Sequence, residues 1–352
     1  MQGVEITDIE MYLYVLAEFL HNHTTGDHLA TLYREAAFIQ QFRQIWFFLI
    51  MLGLVPLQQQ QDSEANGDAD EDAFNMLSKI SPIVFKSHQS LSRSLARIAA
   101  ATPPLVAETK EETFQVELAA ENYWKQGVGN KAEKEQLVKE FLIQVLPTVD
   151  VKSKSPGVRA FLFAIYHVET LRPLGSSKIM SQLLAYEKSK VFHSGALQST
   201  LEPLLKAILQ AYVHKYQTNP LSKDNYHLLE IEAEYLLIQS TNTFRHIGKA
   251  AQQILSGMIK AFPQLLWSQP LFKTLLDIVT ASADIATLGY DDEFPPLKLA
   301  SVQGKKAVNT VEFSSDYDNR NDVVSGIVKL ATEWVSSAVQ TAPNEVNTLI
   351  QV

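Results

Sequence analysis

The sequence predicts an all-α chain built from stacked antiparallel helix pairs. Three observations carry this. Apolar residues recur at steps of three and four over most of the length. Those stripes end repeatedly at proline or at small polar breaks. No convincing alternating strand is visible, and with Gly 14 and Pro 14 in 352 residues the chain is poor in the turn residues of β-rich folds. The hydrophobic share of 46% is that of a folded chain, and its length allows about two domains or one elongated array.

In order along the chain, Thr7 and Glu10 form a Thr-x-x-Glu capping pattern ahead of Ile9, Tyr12, Leu13, Leu16, Phe19 and Leu20. A second helix is expected from His28 to Leu54, so that 1–57 reads as a helical hairpin. Its apolar run Ile45 to Val55 is closed by Pro56 at about half of the roughly 20 residues that a membrane span needs, and it reads as a core helix. Residues 58–72 hold four consecutive Gln and six acids with no base, too polar to offset the entropy of ordering, and read as an acidic disordered loop. Removing those six acids from the net charge of −9 leaves −3.

Residues 73–288 read as the body of the array. Helices are expected at Leu91 to Ala101, stopped by Pro103 and Pro104, at Thr113 to Gln126, at Lys131 to Leu146, and at Val158 to Leu171 after a turn from Lys152 to Gly157. Ser199 and Glu202 form a second capping pattern with Pro203 in the first turn. Leu201, Leu204, Leu205, Ile208, Leu209, Tyr212, Val213 and Tyr216 follow as one stripe. Further helices are expected at Asn225 to Gln239, over the stripe from Phe244 to Phe262, and at Leu271 to Leu288. Residues 289–315 read as a connection, and 316–352 as the C-terminal helix, from Asp322 to Thr341. A helix-break-helix order without a crisp repeat consensus points to an irregular α-solenoid of the HEAT or armadillo kind.

The chemistry is mostly excluded. With no Cys, thiol nucleophiles, thiolate metal sites and disulfides are out, and a reducing compartment fits. The acidic balance argues against nonspecific nucleic-acid binding. Met1 to Glu10 carries acids and no bases, unlike a signal peptide. His21, His23 and His28 with Asp27 lie close in sequence, but their spacing fits no metal motif, and a polar loop is the better reading. Gly127 and Gly129 follow a helix, so they read as a helix stop and not as a phosphate cradle. Lys152, Lys154 and Arg159, and Lys298, Lys305 and Lys306, form small basic patches. Either would bind an anionic membrane only marginally, at about 1 kcal/mol per charge. No kinase, Walker, hydrolase or zinc-protease signature is present. Catalytic, cofactor-binding and metal residues are each read as none. Leu265, Leu266 and Trp267, in the short turn after Pro263, read as an apolar plug between helix pairs.

That turn also carries a resemblance. Gly248 to Ser268, ending Phe-Pro-Gln-Leu-Leu-Trp-Ser, followed by Phe272-Lys-Thr-Leu-Leu-Asp-Ile278, resembles the helical solenoid of the type III alpha phosphatidylinositol 4-kinases. Ile6 to Val15, Leu32 to Glu35, Gln41 to Arg43 with Trp46, and Asp322 to Lys329 with Ala342-Pro343 are similar to it as well. The resemblance implies a parent enzyme that makes phosphatidylinositol 4-phosphate from phosphatidylinositol and ATP, with ATP and Mg bound in a kinase domain that this sequence lacks. The family's catalytic loop carries Asp-Arg-His; Phe244-Arg245-His246 has Phe in place of Asp, so no catalytic residue carries over. A noncatalytic scaffold segment is implied, a fragment of a longer chain recruited peripherally from the cytoplasm to the plasma membrane. Its implied partners are a tetratricopeptide-repeat scaffold, hyccin and a palmitoylated membrane anchor, with self-association left open. The alternative from the pattern alone is an unrelated HEAT or armadillo adaptor.

Overall fold

A computed structural model describes residues 6–23, 41–42, 45–46, 89–106, 131–173, 179–193, 197, 199–218, 223–287, 296–300, 308–311, 313 and 316–350. The fold class is the expected one, all-α. The helices are α1 (Ile6–His23), α2 (Gln89–Ala101), α3 (Lys131–Val145), α4 (Pro156–Leu171), α5 (Ile179–Glu187), α6 (Leu201–Thr218), α7 (Lys223–Gln239), α8 (Arg245–Ala261), α9 (Gln269–Ala286), α10 (Tyr317–Thr341) and α11 (Pro343–Ile350). The chain forms two compact units, one comprising 1–176 and 189–208 and the other 177–188 and 209–352.

In the first unit α1 packs on α2, α2 on α4 and α3 on α4. Nearly every residue of α4 is buried. Ser155 caps it, its hydroxyl accepting from Val158 N at 3.3 Å, and Pro156 stands in the first turn, where its missing N–H costs nothing. The turn expected to reach Gly157 therefore stops at Ser155, because the cap starts the helix two residues earlier. The tryptophan of the apolar run, Trp46, is fully buried, and its indole donates to Thr102 Oγ1 at 2.9 Å. Most of the expected 28–54 helix, the acidic loop 58–72 and the expected 113–126 helix fall outside the described residues.

Two expectations about α1 change. Thr7 lies inside the helix, not at its cap. Leu13, Ala17 and Leu20 are buried, whereas Tyr12 and Phe19 are exposed, so the inward stripe is rotated from the one read. Both apolar sets have helical spacing, and packing against α2 selects one.

In the second unit α5 packs on α7 and α8, α7 on α8 and α9, and α9 and α8 on α10. The stripe read in α6 is confirmed, with Leu201, Leu204, Leu205 and Ile208 buried in the first unit and Leu209, Tyr212 and Tyr216 buried in the second. Its second capping pattern is not formed. Ser199 has φ 67°, in the left-handed region, and the helix starts only at Leu201. An N-cap needs extended backbone directly before the first helical residue.

Four further differences stand out. Helix α5 breaks the interval between Pro173 and Ser199, where no helix was expected. Residues 289–315 contain an antiparallel pair, Leu297–Ala300 with Val308–Val311, in register Leu297 with Val311. Leu299 and Val311 point inward and Lys298 and Thr310 outward, an alternation too short to register as a strand. The last helix starts at Tyr317, not Asp322, because Asp316 caps it by accepting from Asn319 N at 2.7 Å. Residues 316–352 also hold two helices, split at Ala342-Pro343.

Candidate functional site

The turn Pro263–Trp267 is a single 3-10 segment that contacts α8, α9, α10 and α11. Leu265 and Leu266 are buried as read, while Trp267 is half-buried. Three polar contacts hold the turn. The buried Trp334 of α10 donates its indole N–H to Leu266 O at 3.0 Å. Tyr226 donates to Gln264 O at 3.2 Å, and Ser268 Oγ donates to Glu230 Oε1 at 2.6 Å. Burial, then the Glu230 charge, pushes the Tyr226 phenol up to about 12. Phe262 meets Tyr216 edge-on at 5.9 Å, and Tyr216 meets Tyr212 at 4.9 Å. A short turn thus packs on four helices through one apolar plug, and three hydrogen bonds tie it and Ser268 to α10 and α7. This geometry fixes relative helix positions.

Glu232 of α7 is buried and accepts from the first two N–H groups of α5, Ile179 N at 3.1 Å and Met180 N at 3.0 Å. Burial raises its carboxyl to about 7 against the two backbone bonds, which pull it down. In the first unit His167 of α4 is also buried, with no hydrogen-bond partner on either ring nitrogen. It packs among Phe141, Phe163 and Tyr166, with ring centroids 5.2, 4.3 and 5.5 Å away, and burial lowers it to about 3. Arg172, just past the end of α4, makes a bidentate pair with Glu169 at 2.6 and 3.0 Å, and its Nη1 donates to Ala99 O in the last turn of α2. Ala99 O also accepts from Thr102 N at 3.1 Å, so the cation is a second donor to a carbonyl at a helix C-terminus.

Among the described residues, no group of three or more His, Asp or Glu side chains could hold a metal ion. The side chains of His21, His23, Asp27 and His28 lie outside them, as do Gly127, Gly129, Lys305 and Lys306. Lys152 is exposed, and Arg159 donates to Lys154 O at 2.9 Å, so part of that basic patch braces the turn before α4. Phe244 is not in the stripe of α8. It occupies the N-cap position, 62% exposed, because Asn242 Oδ1 accepts from Phe244 N at 2.9 Å and the helix starts only at Arg245. The Phe244-Arg245-His246 tripeptide therefore opens a helix and does not sit within one. Arg245 pairs on the surface with Asp322 at 3.0 Å.

Sequence reading passed over Trp334, Glu232, His167 and the Glu169–Arg172 pair. A signal existed for two of them. Glu232 and His167 interrupt otherwise apolar helix faces, and a charge or an imidazole there needs a partner or a shifted titration.

These features define an all-α helical array in which polar groups lock helices together. Its surface carries large exposed apolar side chains, Met11, Tyr12, Tyr14 and Val15 on α1 and Val328, Val335 and Val339 on α10. No helix among the described residues is long and apolar enough to cross a membrane. A family model described as the PI4-kinase N-terminal region matches residues 23–352, and the chain belongs to that family. The match sets aside the unrelated HEAT or armadillo adaptor and identifies a noncatalytic region of a PI4-kinase.

Proposed function

We propose that this chain is the scaffold segment of a type III alpha phosphatidylinositol 4-kinase. The parent enzyme makes phosphatidylinositol 4-phosphate from phosphatidylinositol and ATP at the plasma membrane, and ATP and Mg are used by its kinase domain. The segment supplies protein-protein surface toward a tetratricopeptide-repeat scaffold, hyccin and a palmitoylated anchor, which bring the complex from the cytoplasm to the membrane.

The observation that carries this reading is the Phe262 to Ser268 turn. The residues that resemble the alpha-type solenoid are the ones that plug the four-helix junction. The exposed apolar residues of α1 and α10 add support, since contiguous apolar surface on a soluble protein marks contact sites.

Co-precipitation of the tagged chain with the three proposed partners tests it. Capture of the tetratricopeptide-repeat scaffold or hyccin is expected, and Val328→Asp with Val335→Asp should weaken it. Failure to capture any of the three sinks the assignment. The purified chain, given phosphatidylinositol vesicles and ATP with Mg, should show no turnover, and measurable phosphatidylinositol 4-phosphate would overturn the scaffold role.

A further inference from the structure

A hydroxyl residue followed by proline occurs three times in the sequence, at Ser81-Pro82, Thr102-Pro103 and Ser155-Pro156. The proline ring removes one backbone N–H and holds the residue before it extended. A proline-directed protein kinase takes its substrate in that form. Ser81 lies outside the described residues. The other two hydroxyls stand in opposite surroundings. Thr102 is 1% exposed, and its hydroxyl is used twice, donating to Ile98 O at 2.6 Å and accepting from the Trp46 indole at 2.9 Å. That oxygen is closed to a kinase in the folded protein.

Ser155 is exposed, and so are Lys152 and Ser153 before it. Lys154 has φ −77° and ψ 145°, and Ser155 has φ −62° and ψ 156°, so the chain entering Pro156 is extended. Arg159 donates from Nη1 to Lys154 O at 2.9 Å, which sets its guanidinium against the residue next to the hydroxyl. The stretch 151–159 carries Lys152, Lys154 and Arg159 and no acid, the nearest in sequence being Asp150. We propose that Ser155 is the substrate hydroxyl of a proline-directed protein kinase, and that the phosphate it receives braces the start of α4.

In that step Ser155 Oγ attacks the γ-phosphorus of ATP. The Oγ–P bond forms, the bond from that phosphorus to the β,γ-bridging oxygen breaks, ADP leaves, and the hydroxyl proton passes to the kinase's carboxylate base. Gly157 and Val158 are buried, so docking on the kinase opens the first turn of α4, and helix ends open at low cost. The product re-forms the turn with a stronger acceptor. Phosphoserine carries a charge of about −2 at neutral pH. Its oxygens replace the Ser155 hydroxyl as acceptor for Val158 N, now 3.3 Å from Oγ, and they lie among three bases.

The test uses the full chain, incubated under native conditions with an active cyclin-dependent kinase, ATP and Mg, and phosphates are mapped by peptide mass spectrometry. Phosphate is expected on Ser155 and not on Thr102. Pro156→Ala keeps the Ser155 hydroxyl and its bond to Val158 N, so α4 still forms, and it should slow modification of Ser155 by about ten-fold or more. Hydrogen exchange over 156–162 in the phosphorylated protein should be about two- to five-fold slower than in the unmodified one, the worth of an anion in the first turn of a helix. An unmodified Ser155, or a Pro156→Ala variant phosphorylated there as fast as the parent, overturns the kinase site. Exchange that is unchanged or faster on phosphorylation overturns the brace.

Discussion

The two units bury a titratable side chain in opposite ways. In the first unit His167 stands among aromatic rings with no partner for either nitrogen, and it is folded in neutral. In the second unit Glu232 is buried with both oxygens bonded to backbone, and it is ionised above about pH 7. The contrast teaches that burial alone does not decide what a polar group does to a core. The imidazole can discard its charge and behave as a flat, aromatic filler. The carboxylate is kept because it replaces two hydrogen bonds that a helix end would otherwise leave unmade.

The contrast has a sign that can be measured. His167 has a folded value of about 3 against 6.5 in the unfolded chain, so between these values the unfolded state binds more protons. Stability is full above about 6.5 and falls as pH drops toward 3, by about 4–5 kcal/mol. Urea denaturation of the protein and of His167→Phe should diverge in this window, and equal acid sensitivity would remove His167 from the account.

Arg172→Ala should cost about 3–5 kcal/mol, because it leaves the buried Glu169 without the cation that pairs with it. Arg172→Met with Glu169→Leu should recover most of the loss. If the single variant melts like the parent, the first unit is not held by this pair.

Glu232 runs the other way. Its folded value of about 7 lies above 4.5, so the native state binds more protons between those limits. Its contribution is most favourable below about 4.5 and is lost as pH rises toward 7, by about 3 kcal/mol. The difference in stability between the protein and Glu232→Gln should therefore change across pH 4.5–7 in the sense opposite to His167. A change of the same sign would break the comparison.

Trp334→Phe should cost about 2 kcal/mol, by removing the donor from the buried Leu266 carbonyl and leaving a small void. Near-UV circular dichroism should show the loss concentrated in the second unit. The smallest effect belongs to Ser199→Gly, which relieves a left-handed residue and should raise stability by about 0.5–1 kcal/mol with no change in either pH window. Loss of stability there would show that Ser199 is held by contacts worth more than its strain.

Legibility in the sequence followed periodicity. The α6 stripe was readable residue by residue because eight apolar positions at steps of three, one and four leave one face to bury. The plug at Leu265 and Leu266 was readable because Pro263 fixes the stop and the apolar residues come immediately after. On α1 the periodicity was present but ambiguous, since Tyr12 and Phe19 fit a helical stripe as well as Leu13 and Leu20 do. The α5 interval and the Leu297–Ala300 strand were too short for periodicity to speak. The candidate site was less legible still, because Glu232 and His167 are defined by what surrounds them, and those neighbours lie far away in sequence.

The sequence by itself determined that the chain is helical, where most helices stop, and that familiar catalytic signatures are missing from it. Each of these rests on local spacing and on proline, which act within a few residues. Tertiary structure decided which face of α1 turns inward, that Asp316 and not Asp322 begins the last long helix, and which buried polar groups find partners. Those outcomes depend on desolvation and on hydrogen bonds between segments such as α5 and α7, and a bond from Glu232 to Ile179 exists only once the chain has brought them together.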